Sequence, residues 1–154
     1  MKKLFIVFIG LIVLYPVQII AGDKEDIIKQ ILSNNEYAKK NSQAADEYSS
    51  KGALEFWSSG GLLHTVKPSG RPEKYAYMNI DFKHIEVIVL VPKKAAVAMY
   101  YSEGSMKPEN APAVPHYLTR VTQVYVKEGG VWKIRASHWS PVSGGSGTSQ
   151  SALN

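Results

Sequence analysis

Apolar residues recur at helical spacing near the start of the chain. Ile27, Ile28, Ile31 and Leu32 form one stripe, and Ala38, Ala45 and Tyr48 extend it. Asp23 suits a cap, and Glu25 and Asp26 lie in the first turn, where the helix dipole favours negative charge. The spacing predicts helix over 23–49, with Ser33-Asn34-Asn35 as a point where it divides in two. A second, short helix is predicted over 53–57, between Gly52 and Ser58-Ser59-Gly60-Gly61. From Leu62 onward the pattern turns to alternating and β-branched residues, with strands predicted over 62–66, 75–80, 84–91, 95–103, 117–127 and 131–139. Pro68-Ser69-Gly70 and Pro92-Lys93-Lys94 separate the early strands, and the proline-bearing stretch 104–115 reads as a loop. Glu128-Gly129-Gly130 joins the last two strands as the clearest hairpin. The stretch 141–154 is rich in Ser and Gly and reads as a flexible tail or a closely packed loop. Helices followed by successive antiparallel strands imply an α+β domain, with the helices on one face of a curved sheet.

Alternate residues of a strand share a face, so the last hairpin predicts what points inward. In the final strand Trp132, Ile134, Ala136, His138 and Ser140 form the more apolar set and are expected inside. In the strand before it, His116, Leu118, Arg120, Thr122, Val124 and Val126 are expected inside, because Val124 and Val126 then pack beside Trp132 and Ile134. Each inward face then runs from apolar at the hairpin to ionisable at the far end, which describes a pocket with a closed floor and a polar mouth. Arg120, His138, His116, Trp57 and Tyr100 are the candidate ligand-binding residues, and His138 is the candidate catalytic group. Each has a structural alternative. Arg120 pairs with Glu103 or Glu86, His138 bonds backbone at a strand end, His116 and His64 sit near solvent, and the aromatics fill core. Val121, Tyr125 and Trp139 then point outward and form a patch suited to a homodimer.

The first residues add a location. Met1-Lys2-Lys3, the apolar run 4–14, Tyr15-Pro16 and Ala21-Gly22 have the layout of a signal peptide over 1–22. The apolar stretch is short for a membrane span and is broken by Gly10, Pro16 and Gln18, so no permanent membrane anchor is expected. Cleavage after Gly22 leaves 132 of the 154 residues, enough for a real core, in a periplasmic or secreted protein. The net charge of +5 falls to +3 without Lys2 and Lys3: 18 basic residues become 16, against 13 acidic. The lysines are scattered, which excludes a nucleic-acid partner as the first reading. There is no Cys, so disulfides, thiolate catalysis and cysteine-ligated zinc are excluded, and the four His are too dispersed to suggest a metal. No cofactor is expected. The Gly144-Gly145-Ser146-Gly147 run lacks the Lys and helix of a phosphate loop.

The segment 118–140, with Trp132, Ile134, His138 and Ser140 at its end, resembles the closing hairpin of SnoaL-like (nuclear-transport-factor-2-like) domains. Phe56-Trp57 with Gly60-Gly61 is similar to the N-terminal half of that family, and the resemblance covers 23–140. It implies a cone, a strongly bent sheet wrapped by helices with a cavity at the open end, often as a dimer. The family includes isomerases, cyclases, dehydratases and binding modules, and its enzymes tend to use a pocket Asp or His as base. His138 matches such a histidine, whereas neither Asp81 nor Asp46 is placed as its acidic counterpart. Three functions follow from this reading. The first is an exported binder of a small apolar or anionic molecule oriented by Arg120 and His138. The second is an isomerase-, cyclase- or dehydratase-type enzyme using His138, histidine being the residue type suited to acid–base work near neutrality. The third is a protein-interaction module.

Overall fold

In a computed structural model of the chain, residues 22–70, 74–142 and 144–147 are described. The expected signal segment therefore falls outside the described residues except for Gly22. Helix α1 spans Asp23–Asn41 and is followed by strands β1 Ala53–Phe56, β2 His64–Val66, β3 Tyr75–Val91, β4 Ala95–Pro108, β5 Val114–Glu128 and β6 Val131–Pro141. The strands form a six-stranded sheet in the order β2-β1-β6-β5-β4-β3. Neighbours run antiparallel except β1 and β6, which are parallel. Among the described residues one helix, rather than two, packs on this sheet.

The helix is continuous through Ser33-Asn34-Asn35 and stops at Ser42, whose φ of 53° takes the chain out of the helical region. It buries Ile27, Ile31, Asn35 and Ala38 in a stripe at helical spacing. Acidic residues in its first turn and Lys39 and Lys40 in its last complement the dipole. Asp23 is not the cap: Gly22 holds that place, without a side-chain cap bond. The Asp23 carboxylate instead accepts from the Lys93 backbone N–H at 2.6 Å and from Lys127 Nζ at 3.1 Å. It thus ties the helix start to the β3–β4 turn and to β5. The apolar spacing of Ala45 and Tyr48 belongs to extended chain, where Tyr48 bridges in parallel to Ile134.

The predicted second helix is the strand β1. Its four residues alternate, with Ala53 and Glu55 buried and Leu54 and Phe56 exposed. So short a segment gains little as an isolated helix, whereas pairing with β6 satisfies its backbone. The two strands expected over 75–80 and 84–91 are one, β3, with a register shift between Lys83 and Glu86 where His84 takes a φ of 54°. A bulge of this kind bends a strand without ending it. Likewise β4 runs past Gly104 into the predicted loop, burying Met106 and Pro108. The hairpin at Gly129-Gly130 is where the pattern placed it, with both glycines at positive φ. Small residues oppose large ones along the inner face of β4 and β5, with Ala96 across from Tyr125 and Ala98 from Gln123.

Of the two readings of the tail, the described residues 144–147 take the packed one. Ser146 forms a parallel bridge with Tyr117, its N–H donating to the His116 carbonyl and its own carbonyl accepting from Leu118. Gly147 lies so close to Ser58 that a Cβ there would overlap the Ser58 carbonyl oxygen. The glycine run is thus a strip laid against β5 and the β1–β2 loop. Gly147→Ala should destabilise the fold by about 1–3 kcal/mol through overpacking, read by denaturant unfolding; an unchanged midpoint would show that the strip contributes nothing.

Candidate functional site

The inner face of the sheet is set by β5 and β6, and the orientation differs from the expected one. Tyr117, Thr119, Val121, Gln123 and Tyr125 of β5 are buried, while His116 and Arg120 are exposed. In β6, Trp132 and Ile134 point inward as expected, but beyond them Ser137 is buried and His138 is exposed. In β5 the cause is the turn, which takes only Gly129 and Gly130, so that Lys127 and Tyr125 rather than Val126 and Val124 stand across from Trp132 and Ile134; in β6 it is a bulge. Val124 pairs with Ala136 and Tyr125 with Ile134, so Arg135 has no partner on β5. One extra residue reverses which side chains face inward for the rest of the strand. Arg135 itself reaches across, one of its terminal nitrogens donating to the Gly52 carbonyl at 3.3 Å.

The five candidate ligand residues are therefore not gathered in one place. Arg120 lies on the outer face, its Nε donating to Ser140 Oγ at 3.1 Å. His138 is on the same outer side, its ring 5.6 Å from that of Phe56. His116 is exposed near the start of β5. Trp57 is half-buried, stacks on His64 at 4.1 Å and donates from Nε1 to Glu55 Oε2 at 2.7 Å. Tyr100 alone is fully inside, its hydroxyl donating to Gln123 Oε1 at 2.9 Å.

Inside the sheet the polar groups fall into two kinds. The first satisfy one another. Gln123 Oε1 accepts from both Tyr100 and Tyr125, the latter at 2.7 Å. Glu55, 1% exposed, accepts from Trp57 and from Ser137 Oγ at 2.7 Å. Tyr117 donates to Ser58 Oγ at 3.2 Å. Burial holds the Tyr100 and Tyr125 hydroxyls well above the usual phenol range, and the negative charge of Asp46 adds to this in both.

The second kind is left without partners, namely Asn35 Oδ1, Ser59 Oγ, Ser102 Oγ, Thr119 Oγ1 and Trp132 Nε1, and of these Asn35 and Ser102 lie on the wall of a cavity. A hollow of about 80 Å³ lies between the end of α1, residues 44–46 and the inner face of the sheet. Phe82, Met106, Tyr117 and Trp139 form much of its wall, with Asn35, Asp46 and Ser102 as polar members. Asn35 Oδ1 and Ser102 Oγ are buried there without a hydrogen-bond partner. Thr119 Oγ1, on the residue paired with Ser102 across β4 and β5, is in the same condition. Buried polar atoms normally find partners, so such orphans on a cavity wall are a mark of a ligand site. The sequence did hold a signal for both wall residues. Asn35 interrupts the buried helical stripe one turn after Ile31, and Ser102 continues the inward alternation Ala96, Ala98, Tyr100.

No protein-family model matches the chain, and no curated protein matches it. Among solved structures, an NTF2-like protein of unknown function from Prochlorococcus marinus aligns with a TM-score of 0.51. The two are 15% identical, and the alignment covers 87% of this chain and 100% of that one. The fold is NTF2-like. An NTF2-like protein of unknown function from Pseudomonas putida aligns with a TM-score of 0.49 and 16% identity, over 74% of this chain and 83% of that one. The NTF2-like fold matches the α+β cone that the closing hairpin suggested, here with a mixed sheet and one described helix. Among the described residues no group of His, Cys, Asp and Glu is arranged to hold a metal ion, and no helix is long and apolar enough to cross a membrane.

The tyrosine pair gives a signed pH dependence. A phenol whose pKa is raised by folding contributes stability that is present below the unfolded value near 10.0 and lost as pH climbs through the folded one. Unfolding free energy should therefore fall above pH 10, and in tyrosinate absorbance Tyr100 and Tyr125 should stay silent until the chain unfolds. Gln123→Leu orphans both hydroxyls and should cost about 1–3 kcal/mol or more. Ionisation of Tyr100 and Tyr125 near pH 10 in the folded state would contradict this burial.

Proposed function

We propose that this chain is an exported small-molecule-binding protein whose ligand enters the cavity between α1 and the concave face of the sheet. The observation that carries the reading is the pair of orphaned atoms, Asn35 Oδ1 and Ser102 Oγ, on the wall of an otherwise largely apolar hollow. A ligand that bonds them recovers hydrogen bonds that folding leaves unmade. Arg120 and His138, expected to orient it, lie on the other face of the sheet and have no part in this hollow. Export rests on the basic start and apolar run of 1–22, with the protein placed in the periplasm or outside the cell.

The homodimer belongs to the same proposal, through residues other than those first expected. Val121 and Tyr125 are buried, and Trp139 packs inward near Phe82 and Tyr100. The outer face instead carries exposed Leu54, Phe56, Ile88 and Met99. Pairing register aligns them in two adjacent rows, Ile88-Val97-Val124-Ala136-Leu54 and Met99-Thr122-His138-Phe56. An apolar surface of this extent on a sheet face is a candidate interface.

Fragment screening by NMR tests the binding reading. Fragments that bind should shift the amides of Asn35 and Ser102, and Ala38→Leu, which pushes a larger side chain into the hollow, should abolish those shifts. Fragments that bind the variant equally well would refute the cavity as the site. Light scattering should give about twice the chain mass and Met99→Lys about the chain mass alone; a wild-type monomer at high concentration would remove the dimer. Intact mass of the protein recovered outside the cytoplasm should lack about 21–22 N-terminal residues; a mass that retains them would favour an anchor.

A further inference from the structure

Resting on the proposed cavity, we infer that its ligand is a molecule without negative charge that carries a hydroxyl on a flat apolar body. Three features of the wall lead there. The first is the chemistry of the orphans. Asn35 Oδ1 accepts a hydrogen bond and Ser102 Oγ either accepts or donates one, so together they match a group that both donates and accepts. A hydroxyl does both from a single atom. The Tyr117 hydroxyl on the same wall donates to Ser58.

The second feature is charge. The described wall holds no Lys, Arg or His, and the charged residue it does hold is Asp46. A buried anion needs a cation or several strong donors to offset lost hydration, and the described wall supplies no cation. The cationic side chains first considered for an anion, Arg120 and His138, are on the far side of the sheet.

The third is shape. Phe82, Met106 and Trp139 line the apolar part, a set of rings and a thioether that suits a flat body. The hollow of about 80 Å³ is well below the ~150 Å³ of a cavity that holds benzene. It therefore receives the hydroxyl-bearing edge of a ring, with the remainder lying at its mouth.

Four probes of similar size separate the possibilities: phenol, toluene, benzoate and benzylamine, each titrated into the full exported chain and followed by amide shifts. Phenol is expected to shift Asn35 and Ser102 and to bind about tenfold more tightly than toluene, with benzoate weaker still. In Ser102→Ala, which removes an unpartnered hydroxyl and should leave folding intact, the preference of phenol over toluene should shrink to about twofold. Toluene binding as well as phenol, or either charged probe binding best at these residues, would overturn the hydroxyl inference and leave the cavity reading standing. Silence of all four at Asn35 and Ser102, or shifts confined to the outer face, would instead remove the cavity reading and this inference with it.

Discussion

The two-against-one pairing at Arg135 decides what this protein presents to its interior. Up to Ile134 the strand β6 follows the register of the hairpin, and Trp132 and Ile134 close the floor of the core. One unpaired residue then exchanges the faces, so that Ser137 and Trp139 turn in and His138 turns out. The bulge sits where two pieces of a single extended run meet β6. Tyr48 bridges to Ile134, and after the turn at Gly52 the strand β1 resumes opposite Ala136. Arg135 spans that junction by donating to the Gly52 carbonyl. The extra residue on β6 thus matches a break on the neighbouring strand, and both the Glu55–Ser137 bond and the Trp139 wall of the cavity depend on it.

From that constraint the interior divides along its length. Near the hairpin, Ile27 and Ile31 of the helix meet Trp132, Ile134 and Tyr125 in a dry core. Further along, a band of mutually bonded polar residues crosses the sheet, from Tyr100 and Gln123 to Ser137 and Glu55. Beyond the band, Asn35 Oδ1 and Ser102 Oγ lie on the wall of a hollow without a hydrogen-bond partner. A satisfied network beside unsatisfied groups is a physical contrast: the first fixes one arrangement of the core, and the second is poised to bond something that is not protein.

Much of the fold was legible in the chain because its signals are local. The helix start, the Gly129-Gly130 turn and the presence of a strand over 117–127 all depend on residues close in sequence. The element boundaries failed where tertiary pairing decides. Residues 53–56 are short enough to be helix or strand, and pairing with β6 makes them strand. Residues 104–108 carry a glycine and end in proline, yet pairing with β3 keeps them in the sheet. The site was less legible. Strict alternation predicted His138 and Arg120 inside, and nothing local announces a bulge at Arg135. The inward set of β5 failed separately, because a two-residue turn sets Lys127 and Tyr125, not Val126 and Val124, across from Trp132 and Ile134. Asn35 and Ser102 stood in patterns already identified, a polar residue on a buried stripe and a serine in line with inward alanines, and their meaning lay in what they fail to contact.

The orientation imposed by Arg135 is best tested by proton–proton Overhauser contacts from the rings of β6. The account predicts contacts from Trp139 to Phe82 and Tyr100, whose ring centroids lie 6.2 and 6.1 Å away, and from His138 to Phe56 at 5.6 Å. These contacts are the same whether or not a second copy covers the outer face. Contacts from His138 to Tyr100 and Phe82, with Trp139 turned away from both, would contradict the bulge and with it the placement of the cavity.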